Sequence, residues 1–187
     1  MRVIAGRARG FRLETAPGHA VRPTADRVRE ALFSILGNRV AGGAFVDLYA
    51  GSGAVGLEAL SRGARHATFV ERDRAALKAL SSNLRRCGFE GQARVIGAPV
   101  IATLRGGALA GGDYDIAFLD PPYRSEETAT ALGLVAAGEG ILSGSGVVVL
   151  EHGRAWGPPG SAGSLSLSRT ALYGDTALSF YAFAPPV

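Results

Sequence analysis

From Ala44 onward the chain alternates near-continuous apolar runs with helix-like stretches, and this alternation restricts the fold more than any other feature. The runs are "AFVDLYA", "HATFVE", "ARVIGA", "YDIAFLD" and "GVVVLEH". Strands that are apolar along their whole length are buried on both faces, so the pattern predicts a parallel sheet covered by helices on each side. "DRAALKALSSNLRRCG" is the clearest of those helices, with Asp73 as its N-terminal cap and Gly88 as its stop. The rhythm breaks at the end. "LSLSRTALYGDTALSFYAF" has no room for a crossover helix, so its two halves are expected to pair as an antiparallel hairpin through "YGDT". The prediction is an α/β fold, a doubly wound, mostly parallel sheet of seven strands closed by one reversed strand.

Ahead of this block, "RVIAG" and "RGFRLET" read as a short hairpin, and "HAVRPTADRVREALFSIL" as an amphipathic helix. Val28, Ala31, Leu32, Ile35 and Leu36 fall on its apolar face, Thr24 can cap it, Asp26 suits its first turn and Gly37 ends it. Arg27, Arg29 and Glu30 fall on the polar face. Residues 1–22 carry Arg2, Arg7, Arg9, Arg12 and Arg22 against Glu14 alone, which accounts for the whole net charge of +4. Such a segment is an electrostatic footprint for phosphate or an ordinary solvated tail. We divide the chain into a basic extension, 1–22, and a main domain, 23–187.

Composition narrows the function classes. With 47% apolar and 19% charged residues the 187-residue chain is globular in character. Arginines interrupt "MRVIAGRARGF" where a signal peptide needs an apolar core, and no apolar segment approaches the roughly 20 residues of a bilayer span. A cytoplasmic protein is expected. A single cysteine, Cys87, with His19, His66 and His152 leaves too few ligands for a Cys/His metal site, and Cys87 reads as a helix residue.

"FVDLYAGSGAVGLEAL" places Gly51, Gly53 and Gly56 in a G-x-G-x-x-G pattern after a strand and at the start of a helix, and Glu71 closes the following strand. The glycines allow a tight turn and close approach of a ligand, helix-start N–H groups attract an anion, and a carboxylate accepts hydrogen bonds from ribose hydroxyls. The set indicates a nucleoside-bearing cofactor. Asp47, four residues before the first glycine, is awkward beside a pyrophosphate and useful near a cationic methionine moiety; its alternative role is to hold backbone N–H groups of the turn.

"DPPY", Asp120 to Tyr123, follows the fourth strand on the same sheet edge as the glycine turn. Asp120 and the Pro121 carbonyl can accept two hydrogen bonds from one exocyclic amine. The Pro121–Pro122 pair is rigid, and Tyr123 can stack on the ring that bears the amine.

"DLYAGSGAVGLEALSRGA", "FVERD" and "DPPY", in this order and spacing, resemble the class I S-adenosylmethionine-dependent amino-methyltransferases. With "RPTADRVREALFSIL" and "LYGDT" they closely resemble the bacterial family that methylates a guanine N2 of small-subunit ribosomal RNA. The resemblance implies cofactor contacts at Asp47, Gly51, Gly53, Gly56, Glu71, Arg72 and Ala98. It implies target-amine binding at Asp120, Pro121, Pro122 and Tyr123, and RNA contacts at Arg2, Arg7, Arg9, Arg22, Thr24, Arg27 and Arg29. S-adenosylmethionine is the implied cofactor and no metal is. Ribosomal RNA, within the small subunit or an assembly intermediate, is the implied partner of a monomeric chain. One departure stands out: relatives often carry an acidic residue beside the adenine where this chain has Ala98 and Pro99. Three rivals stay open, namely a nicotinamide-dependent oxidoreductase, a DNA amino-methyltransferase and a non-catalytic RNA-binding assembly factor.

Overall fold

The computed structural model describes residues 1–15, 24–121 and 125–183, with the side chains of Thr24, Ala25, Ser125 and Glu126 outside that description. The sheet is built from β1 (Ala44–Leu48), β2 (His66–Glu71), β3 (Ala93–Gly97), β4 (Tyr114–Leu119), β5 (Leu142–Gly153), β6 (Ser161–Ala162), β7 (Leu165–Tyr173) and β8 (Thr176–Phe183). Its order is β3-β2-β1-β4-β5-β8-β7-β6. The first five strands are parallel, β8 runs antiparallel to β5, and β7 returns antiparallel to β8. The expected architecture is present, with one correction: among the described residues the sheet has eight strands, because Ser161–Ala162 adds a two-residue, second reversed strand on β7. So short a strand leaves no apolar run to read.

The helices are α1 (Thr24–Leu36), α2 (Ala54–Ser61), α3 (Arg74–Cys87), α4 (Val100–Arg105) and α5 (Ser125–Ala137). Among the described residues no helix is long and apolar enough to cross a membrane. The ends of α3 follow from its sequence. Asp73 accepts the Ala76 N–H at 2.8 Å, and Gly88 adopts φ +71°, letting the Phe89 N–H reach the Leu84 carbonyl at 2.9 Å. A side chain at Gly88 would resist that left-handed turn.

Alternation along the strands divides the core into two layers. Phe45, Phe69, Ile116 and Phe118 face α1, α2 and α3, whereas Val46, Leu48, Ala117 and Leu119 face α4 and α5. Val3, Ala8 and Leu13 of the N-terminal segment are buried in the first of these layers. That segment folds back on itself, with Arg2 opposite Arg12 and the Val3 N–H bonded to the Phe11 carbonyl at 3.0 Å. The expected hairpin is thus present as one isolated bridge.

Candidate functional site

The chain order reverses between β1 and β4, and in an open α/β sheet ligands bind at the carboxyl ends of the strands beside such a reversal. Leu48 pairs with Val70 of β2 and with Leu119 of β4. Glu71, Asp120 and Tyr49 are each the next residue, so they stand at one level along this edge. Two of these three were expected at the site from sequence.

The three glycines of the turn have different reasons to lack a side chain. Gly51 has φ +56° and open space where a Cβ would stand. A Cβ on Gly53, at φ +85°, would come within 2.3 Å of the Leu80 side chain, and one on Gly56 would come within 2.3 Å of the Phe69 ring. The first position lets a ligand approach the backbone, while the other two seat α2 against β2 and α3. Gly53 precedes α2 without a side-chain cap, so the start of this helix keeps its positive end toward the crevice.

Carboxylates shape the same space. Glu71 accepts the Gly51 N–H at 2.8 Å with one oxygen, and the Arg72 and Asp73 N–H groups at 2.7 and 2.8 Å with the other. It therefore holds the turn, and its remaining lone pairs can serve a ligand hydroxyl. Asp47 is 2% exposed and accepts the Gly56 N–H at 2.9 Å. Burial pushes its carboxyl up to about 7, the Asp120 and Glu71 charges push the same way, and the Gly56 bond opposes them. Asp47 thus braces the turn, the alternative role expected of it from sequence, and among the described residues no salt bridge joins it to a cation. This donor set suits a cationic, hydroxyl-bearing cofactor and repels a pyrophosphate.

Asp120 is exposed at the end of β4, its N–H bonded to the Leu48 carbonyl at 3.4 Å, and Pro121 is buried behind it. Pro122, Tyr123 and Arg22 lie outside the described residues. Arg72 is exposed beside Glu71, and Ala98 is half-buried between β3 and α4, the same edge of the sheet.

Tyr49 was not singled out from sequence. It is an aromatic residue at φ +69°, a conformation that costs on the order of 1–3 kcal/mol without glycine. Its hydroxyl donates to Glu127 on the first turn of α5 at 3.1 Å. Burial and the facing Glu127 charge hold the phenol proton well above its ordinary range.

The basic segment is docked rather than trailing in solvent. Glu58 of α2 is fully buried and accepts the Ile4 and Ala5 N–H groups at 2.7 and 3.0 Å and the Arg62 guanidinium at 2.7 Å. Ser61 accepts the Ala8 N–H at 2.9 Å and donates to the Ala5 carbonyl at 2.5 Å. Asn83 of α3 bonds both backbone groups of Glu14 at 2.8 and 2.9 Å, and the Ser52 carbonyl of the glycine turn at 3.0 Å. Sequence reasoning missed this trio. The one available signal was a glutamate inside the otherwise apolar "AVGLEAL".

The expected RNA contacts divide. Arg2, Arg9 and Arg27 are exposed. Arg7 is exposed too, but its guanidinium bonds Gln92 at 2.6 Å and lies 5.0 Å from the centre of the Phe89 ring. Because Gln92 immediately precedes β3, that contact is at the opposite edge of the sheet from the crevice. Thr24 opens α1. Arg29 corrects the reading of a solvated polar face: it is 4% exposed, bonds Asp26 at 3.0 Å and the Arg2 carbonyl, and stands 3.7 Å from Glu58. Burial draws its pKa down against the pull of Glu58 and Asp26. A guanidinium buried between Asp26, Glu58 and the Arg2 carbonyl is not available to RNA. His152 is also satisfied internally, bonding Ser179 at 2.8 Å and the Gly153 carbonyl at 2.9 Å.

Comparisons with known proteins find relatives along the length of the chain. A family model described as Conserved hypothetical protein 95 matches residues 1–182. Ribosomal RNA small subunit methyltransferase D of Escherichia coli K12 is 37% identical over 184 residues, covering 97% of this chain and 89% of that protein. The protein of the same name from Haemophilus influenzae is 37% identical over 137 residues, covering 72% and 70%. Among solved structures, a hypothetical protein of Thermus thermophilus superposes with a TM-score of 0.80 at 37% identity, covering 96% of this chain and 98% of that one.

Proposed function

The chain belongs to the Conserved hypothetical protein 95 family and is an S-adenosylmethionine-dependent methyltransferase, and from that premise we propose that it methylates the exocyclic N2 of a guanine in small-subunit (16S) ribosomal RNA. The observation that carries the reading is the placement of Asp120 and Pro121 directly after the strand next to the one that leads into the glycine turn, one and two residues past the Leu48–Leu119 pair.

S-adenosylmethionine supplies an electrophilic methyl group on a cationic sulfur. On the chain's side, Asp47, Gly51, Gly53, Gly56, Glu71, Arg72 and Ala98 would hold the cofactor: the glycines admit it, Glu71 receives ribose hydroxyls, and Asp47 offers negative charge to its cationic end. A guanine N2 lone pair is delocalised into the ring, which makes it a poor nucleophile. Asp120 and the Pro121 carbonyl, accepting from both amine protons, favour a tetrahedral nitrogen with its lone pair directed away from them and toward the methyl. Pro122 and Tyr123, outside the described residues, are assigned to rigidity and to stacking on the base. The proton that the amine must shed on methylation can pass to Asp120 or to solvent, and the remainder of catalysis is positioning and electrostatics. The flipped base costs a few kcal/mol to unstack, and phosphate contacts from residues 1–22, with Arg27 beside them, offset it. Residues 23–187 carry out the transfer. We assign action to a cytoplasmic monomer on a small subunit or its assembly intermediate.

The test is transfer of labelled methyl to small subunits from cells lacking this protein, with naked rRNA and duplex DNA in parallel. Nucleoside analysis is expected to return N2-methylguanosine from the subunits; methyl on another nucleoside or on DNA would overturn the assignment. Asp120→Ala is expected to cut transfer on the order of 10²–10³-fold while leaving cofactor affinity intact. Loss of both would make Asp120 structural.

A further inference from the structure

Two consecutive residues at the end of β1 hold the elements that follow β4. The Leu48 carbonyl accepts the Asp120 N–H at 3.4 Å, and the Tyr49 hydroxyl donates to the Glu127 carboxylate at 3.1 Å. The first bond belongs to the sheet. The second is made by side chains alone, reaches 78 positions along the chain, and ties the residue before the glycine turn to the first turn of α5. Tyr49 sits level with Glu71 on one side and Asp120 on the other, between the carboxylate that braces the cofactor turn and the one at the end of β4. Its backbone is held at φ +69°. A position that needs only a turn is better filled by glycine, so a tyrosine here points to a task for the side chain. A phenylalanine would supply the same packing, which leaves the hydroxyl and its bond to Glu127 as the group with something further to do.

We propose that Tyr49 is a positioning residue for methyl transfer, its hydroxyl fastening α5 to the end of β1 so that the two walls of the crevice keep the spacing at which amine and methyl meet. The inference rests on Asp120 and Pro121 as the amine-binding groups. Tyr49 touches neither proton nor methyl; it acts through Glu127. In-line transfer is sensitive to such spacing, since a misplacement of about 1 Å can cost 10²-fold.

The full-length chain is compared with Tyr49→Phe, Glu127→Ala, Glu127→Gln and the double variant Tyr49→Phe/Glu127→Ala. Single-turnover transfer, calorimetric cofactor affinity and thermal unfolding are measured for each. Tyr49→Phe is expected to slow the transfer step roughly 10- to 100-fold, with cofactor affinity within about twofold of the parent. Glu127→Ala should match it, the double variant should be no slower than the slower single, and Glu127→Gln, which keeps an acceptor oxygen, should recover most of the loss. If Tyr49→Phe does not fold, Glu127→Ala and Glu127→Gln carry the same comparison. Transfer within twofold of the parent in Tyr49→Phe, losses that add in the double variant, or a rate loss explained entirely by weaker cofactor binding would each overturn the proposal. The acceptor assignment is read separately from the product nucleoside of the parent enzyme, so a different methylated base sinks that assignment and leaves the variant ratios to judge Tyr49.

Discussion

Glu58 and Asp47 are both buried carboxylates that serve the same helix, and their surroundings are opposite. Glu58, under the N-terminal segment, meets two backbone N–H groups and the Arg62 guanidinium, with Arg29 close by. Asp47, under the crevice, meets one backbone N–H, and the charges that act on it are those of the carboxylates Asp120 and Glu71. The contrast teaches how to tell a charge that builds the protein from one that awaits a ligand: the first is fully partnered in the folded chain, and the second is left with like charges around it.

The strongest way to break this comparison is Glu58→Ala, which leaves Arg29 buried beside an empty space. A loss of about 3–5 kcal/mol is expected, because removing the buried carboxylate leaves the Ile4 and Ala5 N–H groups unpaired and Arg29 with Asp26 as its one remaining anion. Urea unfolding measures it, and a loss under about 1 kcal/mol would remove Glu58 from its structural role.

Asp47 sharpens the other side through pH. Its folded pKa of about 7 lies above the ordinary 3.8, so the folded state takes up the proton more readily than the unfolded one. Its contribution to stability is therefore full at pH values below 3.8 and is lost as pH rises toward 7. Ligand binding runs the other way. A cationic ligand favours the ionised carboxylate, so affinity for S-adenosylmethionine relative to the uncharged-sulfur product S-adenosylhomocysteine should rise by up to roughly tenfold per pH unit below about 7 and level off above it. Calorimetry across that range reads the ratio, and Asp47→Asn should flatten it. A ratio that ignores pH in the parent would place the cationic sulfur away from Asp47.

The smallest effect is expected from Arg9→Ala on the exposed side of the docked segment: a few-fold weaker RNA binding and a salt dependence shallower by about 0.7–0.9, with unfolding unchanged. Filter binding at several salt concentrations distinguishes this from a structural role, in which stability and RNA affinity would fall together.

Much of the fold was legible because local signals agreed with the global pattern. Asp73 and Gly88 mark the ends of α3 in the sequence and in the structure alike, and four of the five parallel strands lie in their apolar runs, while β5 contains its run and starts four residues before it. The glycine turn was legible for the same reason, since its spacing is dictated by backbone geometry. What stayed hidden depends on partners distant in sequence. Arg29 sits at a polar position of an amphipathic helix, and only the approach of α2 with Glu58 turns that position inward. Tyr49 gives no hint of a positive φ, because tyrosine does not announce it as glycine would. Asn83 is one more polar residue of a helix until Glu14 and Ser52 arrive on its amide.

The anchoring of the N-terminal segment also bears on the order in which the chain is completed. Its bonds to Glu58 and Ser61 span 53 to 56 positions, and those to Asn83 span 69. The segment precedes in the chain the helices it docks on, so it has nothing to dock against until α2 and α3 have been made. Contacts of such separation form late, after the loop between them has been closed. The basic segment is made before the helices that seat it, so Arg2, Arg9 and Arg12 take their docked positions only once α2 and α3 have formed.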